Sequence, residues 1–380
     1  MIDPYIPQAQ LARLERLVTV GKVVVVYGPR RVGKTTLIRR YAEKREPDAL
    51  VISGEDMGAR EYLESQSVDK LKALVGDRRT LIVDEAQHAR EIGLNLKLLV
   101  DHVRGLRIIA TGSSSFDLAR RTGQPLTGRQ YTLLLLPLAQ MELRSIEDAH
   151  ETKARLDMRL IYGSYPEVVL MESDEQRRMY IKELINAYLF KDILELENIR
   201  YTDKLRRLLQ LLAFQIGRQV SITELGAQLG MARNSVERYL GLLERAYVIY
   251  SRHGFSRNLR KEITKNRRYY FYDNGIRNGL INNFNGVALR GDTGALWENY
   301  ILAERLKRNL YTGRLSESYF WRTHDGQEID LIEELDGQLR AAEMKWSPRR
   351  NARAPAAWRR AYPDSAFEVI HPENYLDFIA

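Results

Sequence analysis

One short stretch limits the fold more than any other feature. Gly28-Pro29-Arg30-Arg31-Val32-Gly33-Lys34-Thr35 satisfies G-x4-G-K-S/T at every fixed position. It follows the apolar run VVVVY at 23–27 and precedes a helix-like stretch at 36–44. Glycines let backbone N–H groups wrap an anion, and a helix starting at once adds its dipole. The strand–loop–helix order implies an α/β layer fold on a parallel sheet. Gly28, Pro29, Arg30, Arg31, Val32, Gly33, Lys34, Thr35 and Thr36 are expected to hold the phosphates of a nucleoside triphosphate, with the Lys34 ammonium on the β/γ-phosphates and the Thr35 hydroxyl on Mg2+.

The rest of the first 135 residues repeats the alternation. Apolar runs at 49–53, 81–83 and 107–110 read as strands buried on both faces, as helices covering a parallel sheet require. The run at 81–83 ends in Asp84 and Glu85. At the carboxyl edge of such a sheet this pair faces the nucleotide crevice, so Asp84 is expected at Mg2+ and Glu85 at the attacking water. The run at 107–110 ends in Thr111-Gly112-Ser113-Ser114-Ser115. Ser113 is the first choice there for placing the water or sensing the γ-phosphate, beside the plain reading of a hydroxyl-rich turn. Arg129 is a candidate arginine finger, acting in its own chain or on a neighbouring copy in a homo-oligomer.

Composition narrows the chemistry. There is no cysteine, so no disulfide framework and no thiolate metal site, and the six histidines are scattered. Any metal is therefore expected on oxygen ligands. The longest apolar runs, at 23–27 and 133–138, fall far short of the ~20 residues that span a bilayer, and MIDPYIPQAQ lacks a basic-then-apolar signal pattern. A cytoplasmic protein is the expectation. Residues 1–200 carry 31 Lys and Arg against 29 Asp and Glu, net +2, while residues 201–380 carry 28 against 21, net +7. A basic second half favours an anionic partner such as DNA, or serves solubility alone.

Four regions follow: an ATPase core at 1–149, a helical lid at 150–202, a helix–helix–helix–hairpin unit at 203–275 and an α/β region at 276–380. The lid enters through Gly163-Ser164-Tyr165-Pro166 and carries a stripe at helical spacing through Ile181, Leu184, Ile185, Tyr188, Leu189, Asp192, Ile193 and Leu196. In the third region, Ser221-Ile222-Thr223-Glu224 has the capping-box pattern of a helix start and Gly230 marks its end. The next helix spans 232–247, and its Asn234, Ser235 and Arg238 suit a major groove. Arg257, Arg260, Lys261, Lys265, Arg267 and Arg268 face a single acid, Glu262, in a basic wing suited to phosphate contacts. DNA is accordingly expected along residues 233–268 and 345–360, against the alternative that these charges are merely solvated.

In the last region, Asp330 lies on a strand, and Glu343-Met344-Lys345 follows thirteen residues later on another. Side chains alternate along a strand, so Glu343 and Lys345 share a face. With Glu298 from the helix before them, they offer carboxylates for Mg2+ and a cation for developing charge, as metal-assisted phosphodiester hydrolysis needs. Charged alternating strands without catalysis are the competing reading. Arg349, Arg350, Arg353, Arg359 and Arg360 follow with no acid between 346 and 360.

Taken in order, GPRRVGKTT, LIVDEAQ, TGSSS, LTGR, LLPLAQMEL, YGSYPEVV, FYDNGIR, GALWENYILAERL, QEIDLI and AAEMKWS resemble a family of bacterial and archaeal AAA+-type ATPases with a C-terminal module. The last two are similar to the PD-(D/E)XK restriction-nuclease superfamily, with Asp330, Glu343 and Lys345 at its D…ExK positions, Glu298 at its helix acid, and Ile329 where the nominal motif has proline. The resemblance implies an AAA+-type P-loop ATPase core, a helical lid, a winged helix and a nuclease-like α/β domain. It implies Mg2+-dependent ATP hydrolysis that drives a DNA-binding, nuclease-like module. Kept beside it is an ATP-dependent switch whose second half is a non-catalytic DNA- or protein-interaction platform.

Overall fold

The computed structural model describes residues 5–112, 126–189, 202–256, 267–314, 316–323, 325–347 and 353–380. Five parallel strands form the first sheet: β1 Val23–Tyr27, β2 Leu50–Ser53, β3 Thr80–Asp84, β4 Arg107–Thr111 and β5 Gln130–Leu134, in the order β2-β3-β4-β1-β5. Val23 and Val25 point into one buried cluster while Val24 and Val26 point into another, which is why an unbroken apolar run was needed at the centre. Helices α1 Gln10–Leu17 and α2 Lys34–Arg45 belong to the second of these faces through Leu14, Leu37 and Ile38. The apolar-run reading had no place for β5. It is an edge strand whose Tyr131 and Thr132 are exposed, so it lacks the signature of a fully buried strand.

Short helices Leu156–Tyr162, Pro166–Leu170 and Asp174–Glu183 follow, the first two separated by the expected turn at Gly163, and the third runs on into a π-helical turn at Leu184–Leu189. Asp192, Ile193 and Leu196 lie outside the described residues.

The third region comprises α3 Thr202–Phe214, β6 Gln219–Val220, α4 Ile222–Leu229, α5 Arg233–Arg245, β7 Ile249–Arg252 and β8 Arg267–Phe271. Its three strands are antiparallel in the order β6-β8-β7. Ser221 caps α4 by accepting the Glu224 N–H at 3.3 Å, and Gly230 ends the helix with φ of 56°. Arg257, Arg260, Lys261, Glu262 and Lys265 lie outside the described residues.

The chain closes with α6 Thr293–Thr312 and a four-stranded sheet of β9 Glu317–Arg322, β10 Glu328–Leu335, β11 Gln338–Met344 and β12 Ala366–Ile370, in the order β12-β11-β10-β9. Its β11–β12 pair is parallel and the other pairs are antiparallel. α6 is buried along much of its length and is fastened to the first sheet's carboxyl side. Tyr311 Oη accepts the Leu136 N–H at 3.0 Å, Glu304 accepts the Gln140 N–H at 2.6 Å, and Lys307 Nζ donates to the Leu138 carbonyl at 2.9 Å. No helix among the described residues is long and apolar enough to cross a membrane.

Candidate functional site

The loop after β1 is held flat against the chain leaving β5. Leu135 N–H donates to the Tyr27 carbonyl at 2.7 Å, and a Cβ on Gly28 would stand 1.9 Å from the Leu135 carbonyl oxygen. Gly28 adopts φ of +150°, so only glycine suits both the conformation and the space. Gly33, with φ of +93°, caps α2. The Gln8 side chain donates to the Val32 carbonyl at 3.2 Å and straps the loop from outside, while the Val32 side chain is buried in the core. Lys34 is only 4% exposed, and its ammonium donates to the Gly28 and Pro29 carbonyls at 3.0 and 2.9 Å, across the inside of the loop.

The parallel register brings the ends of β3 and β4 beside this loop. Thr35 Oγ1 donates to Asp84 Oδ2 at 2.8 Å. The other Asp84 oxygen accepts from Thr111 Oγ1 and, at 3.2 Å, from the Glu85 N–H. Glu85 takes a left-handed φ of 48°, its N–H also donates to Thr111 Oγ1 at 3.0 Å, and its carboxylate accepts from the Gln87 amide. Lys34, Thr35, Thr36, Arg30, Arg31, Arg39, Arg40, Asp84 and Glu85 line one cleft of about 880 Å³. A hydroxyl and a carboxylate side by side beneath a loop of N–H donors suit Mg2+ with phosphate oxygens, so the residues fit a magnesium nucleotide. Gln8 and Gln87 escaped the sequence reading, and Thr111 entered it only within the hydroxyl run at 111–115, behind Ser113. The hydroxyl-rich strand end at 111–115 was the one signal for Thr111. Ser113 lies outside the described residues.

Arg129 does not join this cleft within its own chain. Val23 pairs with Gln130 and Tyr27 with Leu134, so Arg129 precedes β5 at the amino edge of a parallel sheet whose carboxyl edge carries the loop. Five residues at about 3.3 Å each separate the two edges. There the guanidinium bonds Asp101 at 2.8 Å.

The C-terminal acids gather around a different cation from the one expected. Asp330 and Glu343 are buried on β10 and β11, and Glu298 on α6 accepts from Tyr270 Oη at 2.7 Å. Asp330 Oδ2 accepts the Met344 N–H at 2.9 Å, and Lys345, just past β11, bonds Glu343 Oε1 at 2.5 Å. Arg268 of β8 lies 3.8 Å from Glu298 Oε1 and 3.8 Å from Asp330 Oδ1, with its other terminal nitrogen 2.8 Å from Glu328. Burial, with Glu298 and Glu343 adding to it, raises the Asp330 carboxyl well above the usual range. Burial also raises Glu298, with Arg268 and the Tyr270 hydroxyl opposing it. Among the described residues, no group of three or more His, Cys, Asp or Glu side chains is disposed to hold a metal ion. As arranged, these acids do not fit the divalent ion expected of Asp330 and Glu343. Arg349 and Arg350 lie outside the described residues, while Arg353, Arg359 and Arg360 are exposed.

Comparison with known proteins matches three stretches of the chain. Residues 20–144 match the model of an AAA domain, residues 153–286 a domain of unknown function (DUF8612), and residues 293–374 another (DUF4143). An uncharacterized protein of Mycobacterium tuberculosis is 29% identical over 337 residues, covering 88% of this chain and 72% of the relative. One from Methanocaldococcus jannaschii is 24% identical, covering 82% and 72%. Among solved structures, the Thermotoga maritima RuvB Holliday junction branch migration motor aligns with a TM-score of 0.32 at 17% identity, over 66% of this chain and 91% of that one. The AAA-domain match agrees with the sheet and loop described above, and residues 20–144 carry the α/β fold of P-loop nucleotide-binding domains.

Proposed function

We propose that the chain is a Mg2+-dependent ATPase whose nucleotide site drives the modules behind it. The observation that carries this reading is the Thr35–Asp84 contact directly below the Lys34 loop, with Glu85 at the same strand end. Bound Mg2+ would neutralise phosphate charge between Thr35 and Asp84. Lys34 would exchange the loop carbonyls for the β/γ-phosphates, and the loop N–H groups of residues 30–36 would orient them. Glu85, steadied by Gln87, accepts the proton of the attacking water. ATP turnover by the purified chain, abolished in Lys34→Ala and reduced ~10²–10⁴-fold in Glu85→Gln, is the test. Wild type without turnover sinks the reading.

The remaining division is a core at 1–149, a helical lid at 150–202, a winged helix at 203–275 and a nuclease-like domain at 276–380. The order helix, strand, helix, helix, hairpin, with three antiparallel strands, supports the winged-helix reading. Asn234 and Arg238 are exposed on α5 while Val236 and Tyr239 are buried behind them, which suits a helix presented to a DNA groove. DNA binding with a steep salt dependence, weakened in Arg238→Ala, tests this.

For the C-terminal half, the position of Arg268 between Glu298 and Asp330 favours an interaction platform over a phosphodiesterase. A DNA-nicking assay with Mg2+ or Mn2+ separates the two. Cleavage by wild type that Asp330→Ala and Lys345→Ala both lose establishes the nuclease and removes the platform reading.

A further inference from the structure

The acid pocket of the last sheet is completed by a residue from another module. Arg268 is paired to Gln219 on β6 and to Arg252 on β7, so its backbone belongs to the three-stranded sheet. Its side chain leaves that sheet and is 4% exposed among C-terminal residues. The guanidinium covers the Phe320 ring at 4.6 Å from its centre, bonds Glu328 at 2.8 Å and stands 3.8 Å from both Glu298 and Asp330. Two positions on, Tyr270 reaches the same Glu298 oxygen at 2.7 Å. Glu343 gives one oxygen to Lys345 and buries the other, Oε2, with no hydrogen-bond partner among the described residues.

Buried carboxylates require a counter-charge, and here a guanidinium provides it. A divalent ion bonds carboxylate oxygens at roughly 2.0–2.6 Å. An ion held by both Glu298 and Asp330 would press a second buried positive charge against Arg268, in surroundings that screen it poorly. We infer that Arg268 is the resident cation of this pocket, a latch that seats β8 on the C-terminal sheet, and that divalent-metal binding there excludes its docking. Arginine suits the part, because its planar fork reaches several carboxylates at once and stacks on an aromatic face. The inference deepens the platform reading and rests on it, and it does not involve the nucleotide cleft.

The test is Mn2+ binding to the nucleotide-free full chain, followed through the electron paramagnetic resonance signal of free Mn2+. Arg268→Gln is expected to bind one more equivalent than wild type, at least ~10-fold tighter than any wild-type binding at this pocket. Arg268→Gln combined with Asp330→Asn is expected to lose that equivalent. No gain in Arg268→Gln overturns the inference. Should Arg268→Gln fail to fold, wild type against Asp330→Asn decides. Equal Mn2+ stoichiometry supports the latch, and one equivalent fewer in Asp330→Asn shows metal bound with Arg268 in place and overturns it. Mn2+-dependent DNA cleavage by wild type would sink the platform reading, an outcome distinct from the Mn2+ titration.

Discussion

The Thr35 hydroxyl donates to Asp84 across 2.8 Å, joining residues 49 positions apart at the start of α2 and the end of β3. The contact exists because β3 and β1 both flank β4 in parallel register, so their carboxyl ends open on one side of the sheet. Thr111 at the end of β4 holds the other oxygen of Asp84 and fixes the carboxylate's orientation.

Removing the hydroxyl separates metal-linked from metal-free nucleotide binding. Thr35→Ala is expected to weaken ATP binding ~10–100-fold with Mg2+, the scale of a lost charge-assisted hydrogen bond, and to have little effect in EDTA. Calorimetric titration under the two conditions checks it. An equal loss in both would show that Thr35 serves the fold instead.

Gly28→Ala tests the loop's backing. The added Cβ would meet the Leu135 carbonyl oxygen at 1.9 Å, and backbone cannot yield as a side-chain tip would. A destabilisation of about 1–3 kcal/mol, read by urea unfolding, and loss of nucleotide binding are expected.

Glu142 makes stability depend on pH. Burial raises its carboxyl to about 7 from an ordinary 4.5, against the lowering effect of the Ala139 and Ala9 N–H groups it accepts. An acid raised in the folded state favours folding when protonated. That contribution is complete below pH 4.5 and is lost as pH rises through 7. The stability advantage of wild type over Glu142→Gln is therefore expected to shrink by about 3 kcal/mol between pH 4 and pH 8. Urea unfolding across that range measures it, and a flat difference contradicts the assignment.

Lys307→Met probes the seam between α6 and the first sheet. Lys307 and Glu304 form a pair only 1% and 3% exposed, and Lys307 also serves the Leu138 carbonyl. Losing the ammonium strands a buried carboxylate and a carbonyl, a loss of about 3–5 kcal/mol visible as a lower thermal midpoint. A change within ~0.5 kcal/mol, ordinary for a surface site, would show that water reaches the pair.

What could be read from the sequence was what lies contiguous in it. The phosphate loop, Asp84 and Glu85 each sit at the end of an apolar run, so strand direction alone places them together. The Ser221 cap and Gly230 stop are likewise local. Arg129 falls at the far sheet edge within its own chain, which the sequence hid because the residue directly precedes an edge strand with polar outer positions, and without β5 its sheet edge is unknowable. Thr111 was passed over among five consecutive small or hydroxyl residues, since only strand register distinguishes them. Arg268 read as one charge in a basic run, yet its side chain enters a pocket formed by residues 298, 328 and 330. Nothing in local spacing reports a partner so far along the chain.

Helix α6 touches both ends of the molecule's chemistry. Tyr311, near its carboxyl end, holds the Leu136 N–H, one residue beyond the carbonyl on which Gly28 rests. Glu298, near its amino end and about 20 Å away at 1.5 Å per residue, carries the carboxylate beside Arg268. One helix thus carries both the hydroxyl that backs the phosphate loop and the carboxylate beside Arg268, so its length fixes how far apart the two footings lie.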